Sequence, residues 1–190
     1  MKNTMTFNTA PNLLTLLRIC LVPVIVSLLF LRSPQGDWTA VGFFLLASIT
    51  DYLDGHLARI QKSETIYGKL LDPLADKFLT ISTLIMLQEA KKVHPSIVIL
   101  LVCREISITG LRAIASTEGI VLGASPVAKW KTALQMTALP LLILYSPDDP
   151  SSFSYYMGLS GSFLLNLSLI VSLWSATRYS IDFFQTIQKK

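Results

Sequence analysis

The sequence predicts an all-α integral membrane protein, a bundle of six transmembrane helices. Of its 190 residues, 52% are hydrophobic and only 15% are charged, and the mean hydropathy is +0.54. A typical soluble domain has roughly 25% charged residues. The chain also contains six mostly apolar stretches of about 20 residues, the length that a helix needs to cross the hydrocarbon core of a bilayer.

This composition also excludes several classes of protein. The charged residues are too few for an ordinary cytosolic enzyme or a disordered chain. The cysteines, Cys20 and Cys103, each lie inside an apolar stretch, which argues against a secreted disulfide scaffold. The net charge of +4 is spread over the connections and fits an anionic membrane surface. We therefore expect membrane lipids as partners and no nucleic acid.

The six stretches define the predicted elements in order. Arg18 interrupts the first stretch and no small-residue cleavage site follows it, so this stretch is not a signal peptide. Ahead of it, residues 1–12 form an interfacial segment. Short turns rich in Pro, Gly, Ser and Asp separate the later stretches. We predict one membrane-embedded catalytic domain over 1–190, with helices at approximately 13–31, 38–60, 69–90, 95–117, 126–145 and 153–176.

The distribution of basic residues predicts the orientation. Six crossings place both termini on one side of the membrane. With the termini inside, the outer connections hold only Arg32, Lys91 and Lys92. The inner segments then hold Lys2, Arg59, Lys62, Lys69, Lys129, Lys131, Arg178, Lys189 and Lys190. Because basic residues favour the cytoplasmic side, we expect a multi-pass plasma-membrane protein whose termini and active site face the cytoplasm.

Four aspartates fall within stretches otherwise suited to lipid: Asp51, Asp54, Asp72 and Asp76. Each Asp at the centre of a spanning helix opposes insertion by roughly 2.5 to 3.5 kcal/mol, so the group indicates a functional site. On helical spacing the first two share one face of the second helix, and the last two form a stripe on the third. A short connection makes these helices antiparallel neighbours, so the two pairs are predicted to face each other.

Four neighbouring carboxylates repel one another unless cations intervene. Oxygen ligands without nearby His or Cys favour Mg²⁺, Mn²⁺ or Ca²⁺ over zinc, and two such ions can clamp a diphosphate. The alternative is a set of ion pairs with Lys77, Arg104 and Arg112. Gly55 and Ala58, on the face of Asp51 and Asp54, either admit a flat ligand to the backbone or simply pack against another helix.

Basic residues within the apolar stretches predict an anion site. Arg104 and Arg112 lie on one broad face of the fourth helix, and two guanidinium groups suit a phosphomonoester. Alternatively, Arg104 pairs with Glu105. Lys129 and Lys131 point to different faces, so one of them reaches the substrate, or both attract anionic headgroups. Arg18 serves the same phosphate or pairs with an aspartate.

The aspartates belong to a longer pattern, Asp51-x2-Asp54-Gly55-x2-Ala58-Arg59-x8-Gly68-x3-Asp72-x3-Asp76. It resembles, at all eight fixed positions over 26 residues, the signature of the CDP-alcohol phosphatidyltransferase family. The resemblance implies transfer from a CDP-activated lipid to an alcohol, with CMP released and Asp76 as general base. It further implies Mg²⁺ or Mn²⁺, two ions per site, a homodimer, and the following residues: metal ligands Asp51, Asp54, Asp72 and Asp76; contacts to CDP-diacylglycerol from Asp51, Asp54, Gly55, Ala58, Arg59 and Gly68.

Three looser segments, 8–18, 104–112 and 129–132, resemble the branch of this family that uses sn-glycerol 3-phosphate. They imply CDP-diacylglycerol and glycerol 3-phosphate as substrates. Inositol phosphate, serine and phosphatidylglycerol remain alternative acceptors, and a divalent-cation transporter is the alternative outside the class. The residues expected to bind glycerol phosphate are Arg104, Arg112, Lys131, Lys129 and Arg18.

Overall fold

A computed structural model describes residues 10–61, 66–117, 126–147 and 151–188. Side chains are described within these ranges except at 10–12, 51–61, 66–70, 72–73, 126–128 and 152. Within the described ranges the fold is all-α, with six helices and no strand, which confirms the predicted fold class. The helices are α1 (Ala10–Phe30), α2 (Pro34–Gln61), α3 (Ile66–Glu89), α4 (Pro95–Thr117), α5 (Pro126–Leu144) and α6 (Ser152–Gln188).

The start of α2 differs from the prediction of 38. The helix begins at Pro34, in a segment that its turn-forming residues made look like a loop. The Gly36 amide donates to Ser33 Oγ over 3.1 Å, so Ser33 caps the helix. Pro34 then occupies the first helical position, where its missing N–H costs no hydrogen bond. A cap and a first turn were therefore mistaken for a connection.

The end of α6 differs more, because the helix continues to Gln188 instead of stopping near 176. The predicted end marked where the apolar run stops. Residues 177–188 contain neither Gly nor Pro, so nothing in them ends the helix. Phe183, within this extension, is only 3% exposed and continues the packing of α6.

Helix α6 packs through a stripe of buried residues, all of them Ser or Gly except Leu165. Counting from Ser154, the buried positions recur at alternating steps of four and three, the spacing of one helix face. An added Cβ at Gly158 would lie 2.6 Å from the Tyr145 ring, and one at Gly161 would lie 2.8 Å from Leu142. Small residues let the backbone of α6 approach α5 closely, as in membrane helix pairs. The stripe comprises Ser154, Gly158, Gly161, Leu165, Ser168, Ser172 and Ser175.

Around this pair, α1 packs against both α2 and α3, α4 packs against α6, and α2 packs against α5. The buried apolar core draws on all six described helices. The predicted neighbours α2 and α3 also touch each other. Arg32, just before α2, pairs with Glu89 at the end of α3, so the two helices are antiparallel.

The bundle consequently has two distinct ends. At one end lie the start of α2, the end of α3 and the starts of α4 and α6; we call it the distal end. Residues 51–61 of α2 and 66–76 of α3 lie toward the other end, which we call the motif end.

Two of the described helices are long and apolar enough to cross a membrane, at Leu13–Phe30 and Phe153–Gln188. Charged residues within α2, α3 and α4 lower the hydropathy of those helices. Large apolar or aromatic side chains are nevertheless exposed on every helix, among them Leu16, Leu45, Ile85, Ile99, Trp130 and Phe163.

Candidate functional site

The aspartate pattern spans the end of α2 and the beginning of α3, as the sequence predicted. Asp76 is the member whose side chain is described. It is partly buried near the middle of α3, and its backbone carbonyl accepts a 3.0 Å hydrogen bond from Thr80 Oγ1. The predicted roles that fall outside the described side chains are those of Asp51, Asp54, Gly55, Ala58, Arg59, Gly68 and Asp72.

The predicted metal centre depends on those side chains. Among the side chains that the structure describes, no group of three or more His, Cys, Asp or Glu residues could hold a metal ion. Three of the four expected ligands, Asp51, Asp54 and Asp72, are not in that set. The donor chemistry fits a hard divalent cation, because the pattern offers carboxylate oxygens from two neighbouring antiparallel helices.

Beside the pattern, α4 and α5 bring together three charged side chains, Arg104, Glu105 and Lys131, which we call the charged triad. Arg104 Nη1 donates to Glu105 Oε1 over 2.8 Å, and Lys131 Nζ donates to the same oxygen. The side chains of Arg104 and Lys131 are each 9% exposed, and that of Glu105 is 15% exposed. One carboxylate thus holds two largely buried cations and leaves a net positive charge within the triad.

The triad is connected to α6 as well. Arg104 Nε donates to the backbone carbonyl of Ser172 over 3.1 Å. Beside this contact, a mostly apolar groove of about 620 Å³ runs between α4 and α6, with Arg104, Cys103 and Phe184 among its lining residues. The Arg104 guanidinium is therefore oriented by two protein acceptors and borders a mostly apolar groove.

Contacts between α3 and α4 place Asp76 close to the triad. The Asp76 carboxylate interacts electrostatically with Lys131. The next residue, Lys77, donates to Thr109 Oγ1, and that hydroxyl donates to the backbone carbonyl of Glu105 over 2.6 Å. The last aspartate of the pattern, Arg104 of α4 and Lys131 of α5 therefore share one region of the bundle.

Three other predicted residues lie elsewhere. Arg18 is 1% exposed, and its Nε donates to the carbonyl of Ala47, one turn before the pattern begins on α2. Arg112 lies about two turns beyond Arg104 along α4, with its guanidinium 5.6 Å from the centre of the Tyr179 ring. Lys129 is exposed, whereas Lys131 is 8% exposed and belongs to the triad.

Three contributors to this region, Ser172, Thr109 and Tyr179, were not predicted from the sequence. Ser172 acts through its backbone carbonyl, which no residue pattern marks. Thr109 lies one helical turn from Glu105, and that spacing could have identified it. Tyr179 falls in the part of α6 that was predicted to lie beyond the helix.

The sequence matches known proteins over most of its length. The family model described as CDP-alcohol phosphatidyltransferase matches residues 8–174. A Cereibacter sphaeroides protein named CDP-diacylglycerol–glycerol-3-phosphate 3-phosphatidyltransferase is 38% identical over 138 residues, which cover 70% of this chain and 62% of that protein. A Rickettsia bellii protein of the same name is 36% identical over 169 residues, covering 89% of this chain and 92% of that protein.

A third relative carries a different name. A rice protein named cardiolipin synthase (CMP-forming) is 32% identical over 196 residues, which cover 95% of this chain and 59% of that protein. The family match spans both the aspartate pattern and the charged triad. The chain therefore belongs to the CDP-alcohol phosphatidyltransferase family, whose members are enzymes.

Proposed function

We propose that this enzyme transfers the phosphatidyl group of CDP-diacylglycerol to sn-glycerol 3-phosphate, giving phosphatidylglycerophosphate and CMP. The observation that carries the proposal is that Asp76 lies in the same region as the buried charged triad, because the adjacent Lys77 donates to Thr109, one turn from Glu105 on α4. Asp76 can accept a proton, and the nearby cations Arg104 and Lys131 can hold a phosphate. The names of the Cereibacter sphaeroides and Rickettsia bellii relatives support the same substrates.

The triad would bind the phosphate of the acceptor. Its two cations exceed its one carboxylate, and a phosphomonoester carries nearly two negative charges at neutral pH. Arg104 is preoriented by Glu105 and Ser172, so little side-chain freedom is lost when the anion binds. Arg112, Lys129 and Arg18 are further candidates, with Arg112 and Lys129 closer to the membrane surface than the triad.

For the donor, we propose that Asp51, Asp54, Asp72 and Asp76 hold two divalent ions, Mg²⁺ or Mn²⁺. Such ions would neutralise the diphosphate of CDP-diacylglycerol and the charge that develops on CMP as it leaves. Gly55, Ala58, Arg59 and Gly68 would border the cytidine diphosphate. The small residues leave room for the ligand beside the backbone, and Arg59 adds a positive charge.

Asp76 would act as the general base. Its carboxylate takes the proton of the acceptor's primary hydroxyl, and the oxygen attacks the lipid-bearing phosphorus of the donor. The bond between that phosphorus and the CMP oxygen breaks, so the phosphatidyl group passes directly to the acceptor. General-base catalysis of this kind contributes roughly 10² to 10⁴ in rate.

The rice relative gives a specific reason to test a second acceptor, phosphatidylglycerol, which a cardiolipin synthase would use. The buried triad favours glycerol phosphate, because a phosphomonoester carries more negative charge than the phosphodiester of phosphatidylglycerol. Inositol phosphate would suit the triad equally well, and serine would suit it less. Because the family consists of enzymes, we set aside the cation-transporter alternative.

The deciding experiment measures CMP release by purified enzyme in detergent with CDP-diacylglycerol and each acceptor in turn. We expect release that depends on sn-glycerol 3-phosphate and is abolished by excess chelator, then restored by Mg²⁺ or Mn²⁺. CMP release that depends on phosphatidylglycerol or inositol phosphate instead would overturn the assignment of sn-glycerol 3-phosphate as the acceptor. Full activity in chelator would overturn the metal-dependent mechanism while leaving the acceptor assignment intact.

We further propose that the six helices cross the plasma membrane with the motif end and both termini in the cytoplasm, and that the enzyme is a homodimer. The exposed apolar side chains on every described helix support the membrane placement. With Cys20 and Cys103 replaced by Ala, a membrane-impermeant maleimide should label Lys91→Cys in intact cells, and Arg178→Cys only after permeabilisation. Labelling in the reverse order would contradict the orientation, and a monomer mass in mild detergent would contradict the dimer.

A further inference from the structure

The distal end of the bundle contains a second cavity, remote from the aspartate pattern. Its volume is about 740 Å³, and it lies among the turns that join α1 to α2 and α3 to α4 and the end of α5. Apolar side chains, including Leu29, Met86 and Leu144, form part of its wall. The charged residues that line it are Arg32, Asp37, Glu89, Lys91 and Lys92.

Two ion pairs account for four of these five charges. Lys92 Nζ donates to Asp37 Oδ2 over 2.9 Å and to the Ile143 carbonyl over 2.6 Å, and both charged side chains are largely buried. Arg32 pairs with Glu89, but this pair is open to solvent, with side chains 58% and 45% exposed. An exposed pair of this kind is weak and can exchange its partner for another anion.

Lys91 supplies the remaining charge. It is exposed, and no hydrogen bond or ion pair joins its side chain to the residues that the structure describes. The described lining thus carries three cations and two carboxylates. The part of the lining that the structure describes therefore has an excess of one positive charge, which a phosphodiester would balance.

The backbone gives independent support. Lys91 and Arg32 both have positive φ, 59° and 48°, a region that favours glycine. Lys91 occupies the position after α3 where glycine commonly ends a helix: the Lys92 amide donates to Leu87 O over 2.9 Å, and the Lys91 amide donates to Gln88 O over 3.0 Å. Both disfavoured positions carry a cation, and both line the same cavity, which points to a function for the side chains.

The cavity also has the features of a lipid interface. Trp38 and Phe153, which line it, stack with ring centroids 6.3 Å apart, and they are 59% and 52% exposed. Aromatic residues of this kind concentrate at the level of lipid headgroups. A cavity lined by both apolar side chains and cations suits a molecule that joins hydrocarbon to a phosphate.

We propose that this distal cavity binds the phosphodiester headgroup of a membrane phospholipid, with Lys91 and Arg32 contacting the phosphate. The lipid phosphate takes the place of Glu89 on Arg32, and the Lys92–Asp37 pair keeps the cavity open behind it. The site lies at the opposite end of the bundle from the catalytic region and does not depend on the proposed reaction.

The test compares wild-type enzyme with the double variant Arg32→Gly and Lys91→Gly, which removes both cations and suits both backbone positions. Affinity for short-chain phosphatidylglycerol is measured in detergent by native mass spectrometry. Two further probes are tested in the same way: diacylglycerol, which lacks the phosphate, and glycerol phosphate, which lacks the acyl chains. We expect the double variant to bind phosphatidylglycerol roughly tenfold more weakly, since each lost charge-assisted contact weakens binding. Diacylglycerol should bind both proteins equally and weakly.

Two controls separate this site from other effects. Arg178→Gln removes an exposed cation near the motif end and should leave the affinity unchanged. Melting temperature and CMP release report whether the double variant is folded and whether its catalytic site is intact. Equal phosphatidylglycerol affinity in the wild type and the double variant would overturn the proposal. Glycerol phosphate binding as tightly as the lipid would instead identify a site for soluble phosphate and also overturn it.

Discussion

Buried charges are paired differently at the distal end of the bundle and in the charged triad. At the distal end Lys92 has its own carboxylate, Asp37, together with the Ile143 carbonyl. In the charged triad, one carboxylate, Glu105, is shared by Arg104 and Lys131. We infer that the distal pair connects helices, whereas the triad retains binding capacity for an anion. Substitutions at corresponding positions of the two ends can test this difference.

The largest effect is expected for a carboxylate at the motif end. Asp76→Asn should lower kcat by roughly 10² to 10⁴, because the amide cannot accept the proton of the acceptor hydroxyl. Initial rates of CMP release measure it. Asp37→Asn is the matched control at the distal end, and we expect it to lower the melting temperature and leave kcat unchanged. Equal losses of kcat in both variants would contradict the assignment of catalysis to one end.

The next effect concerns the shared carboxylate of the triad. Glu105→Gln removes the carboxylate that two largely buried cations share, so we expect a loss of about 3 kcal/mol in the free energy of unfolding. KM for sn-glycerol 3-phosphate should rise more than KM for CDP-diacylglycerol, because Arg104 loses the carboxylate that orients it. Glu89→Gln, in the exposed pair with Arg32, is the control and should cost less than about 1 kcal/mol. If KM for both substrates rises equally, Glu105 does not act on the acceptor site.

A smaller effect is expected when the distal pair is broken. Lys92→Met retains the aliphatic side chain but leaves Asp37 and the Ile143 carbonyl without their donor. We expect a loss of about 2 kcal/mol in unfolding free energy, since a partly buried charge loses its partner. Thermal unfolding in detergent measures the loss, and kinetic constants of the folded variant should match the wild type. Altered KM values would show that the distal end influences the acceptor site.

The smallest effect tests packing near the distal end without charge. Gly158→Ala places a Cβ 2.6 Å from the Tyr145 ring, so the ring must move. Overpacking of this kind costs typically 1 to 3 kcal/mol, here toward the lower value because a side chain can shift. Gly42→Ala is the control, because no atom lies within 4 Å of its added Cβ. A lower melting temperature for the control than for Gly158→Ala would contradict the close approach of α5 and α6.

Much of the fold could be predicted because a run of about 20 apolar residues indicates a helix. The predicted helix boundaries were wrong where a helix is longer than its apolar run. Ser33 and Pro34 begin α2 with a cap that also reads as a turn, and residues 177–188 continue α6 after the run has ended. Hydropathy identifies only the apolar part of a helix, whereas capping and helix-breaking residues determine where the helix begins and ends.

The sequence predicted which residues belong to the candidate site better than it predicted which of them contact one another. Spacing identified Asp76, Arg104 and Lys131 as chemically unusual, but the joining of α3, α4 and α5 around Glu105 depends on tertiary packing. Lys129 and Lys131 are two positions apart, so they point to different sides of α5. The packing of α5 buries one and leaves the other exposed.

The length of α6 has a consequence for engineering the enzyme. At 37 residues the helix is about 55 Å long, well beyond the roughly 30 Å of bilayer hydrocarbon. Its last three turns carry Tyr179, the ring beneath the Arg112 guanidinium. A chain truncated at 176 would keep every predicted apolar stretch yet lose the ring that supports that arginine. The carboxyl-terminal turns are therefore part of the packed enzyme and are not a dispensable tail.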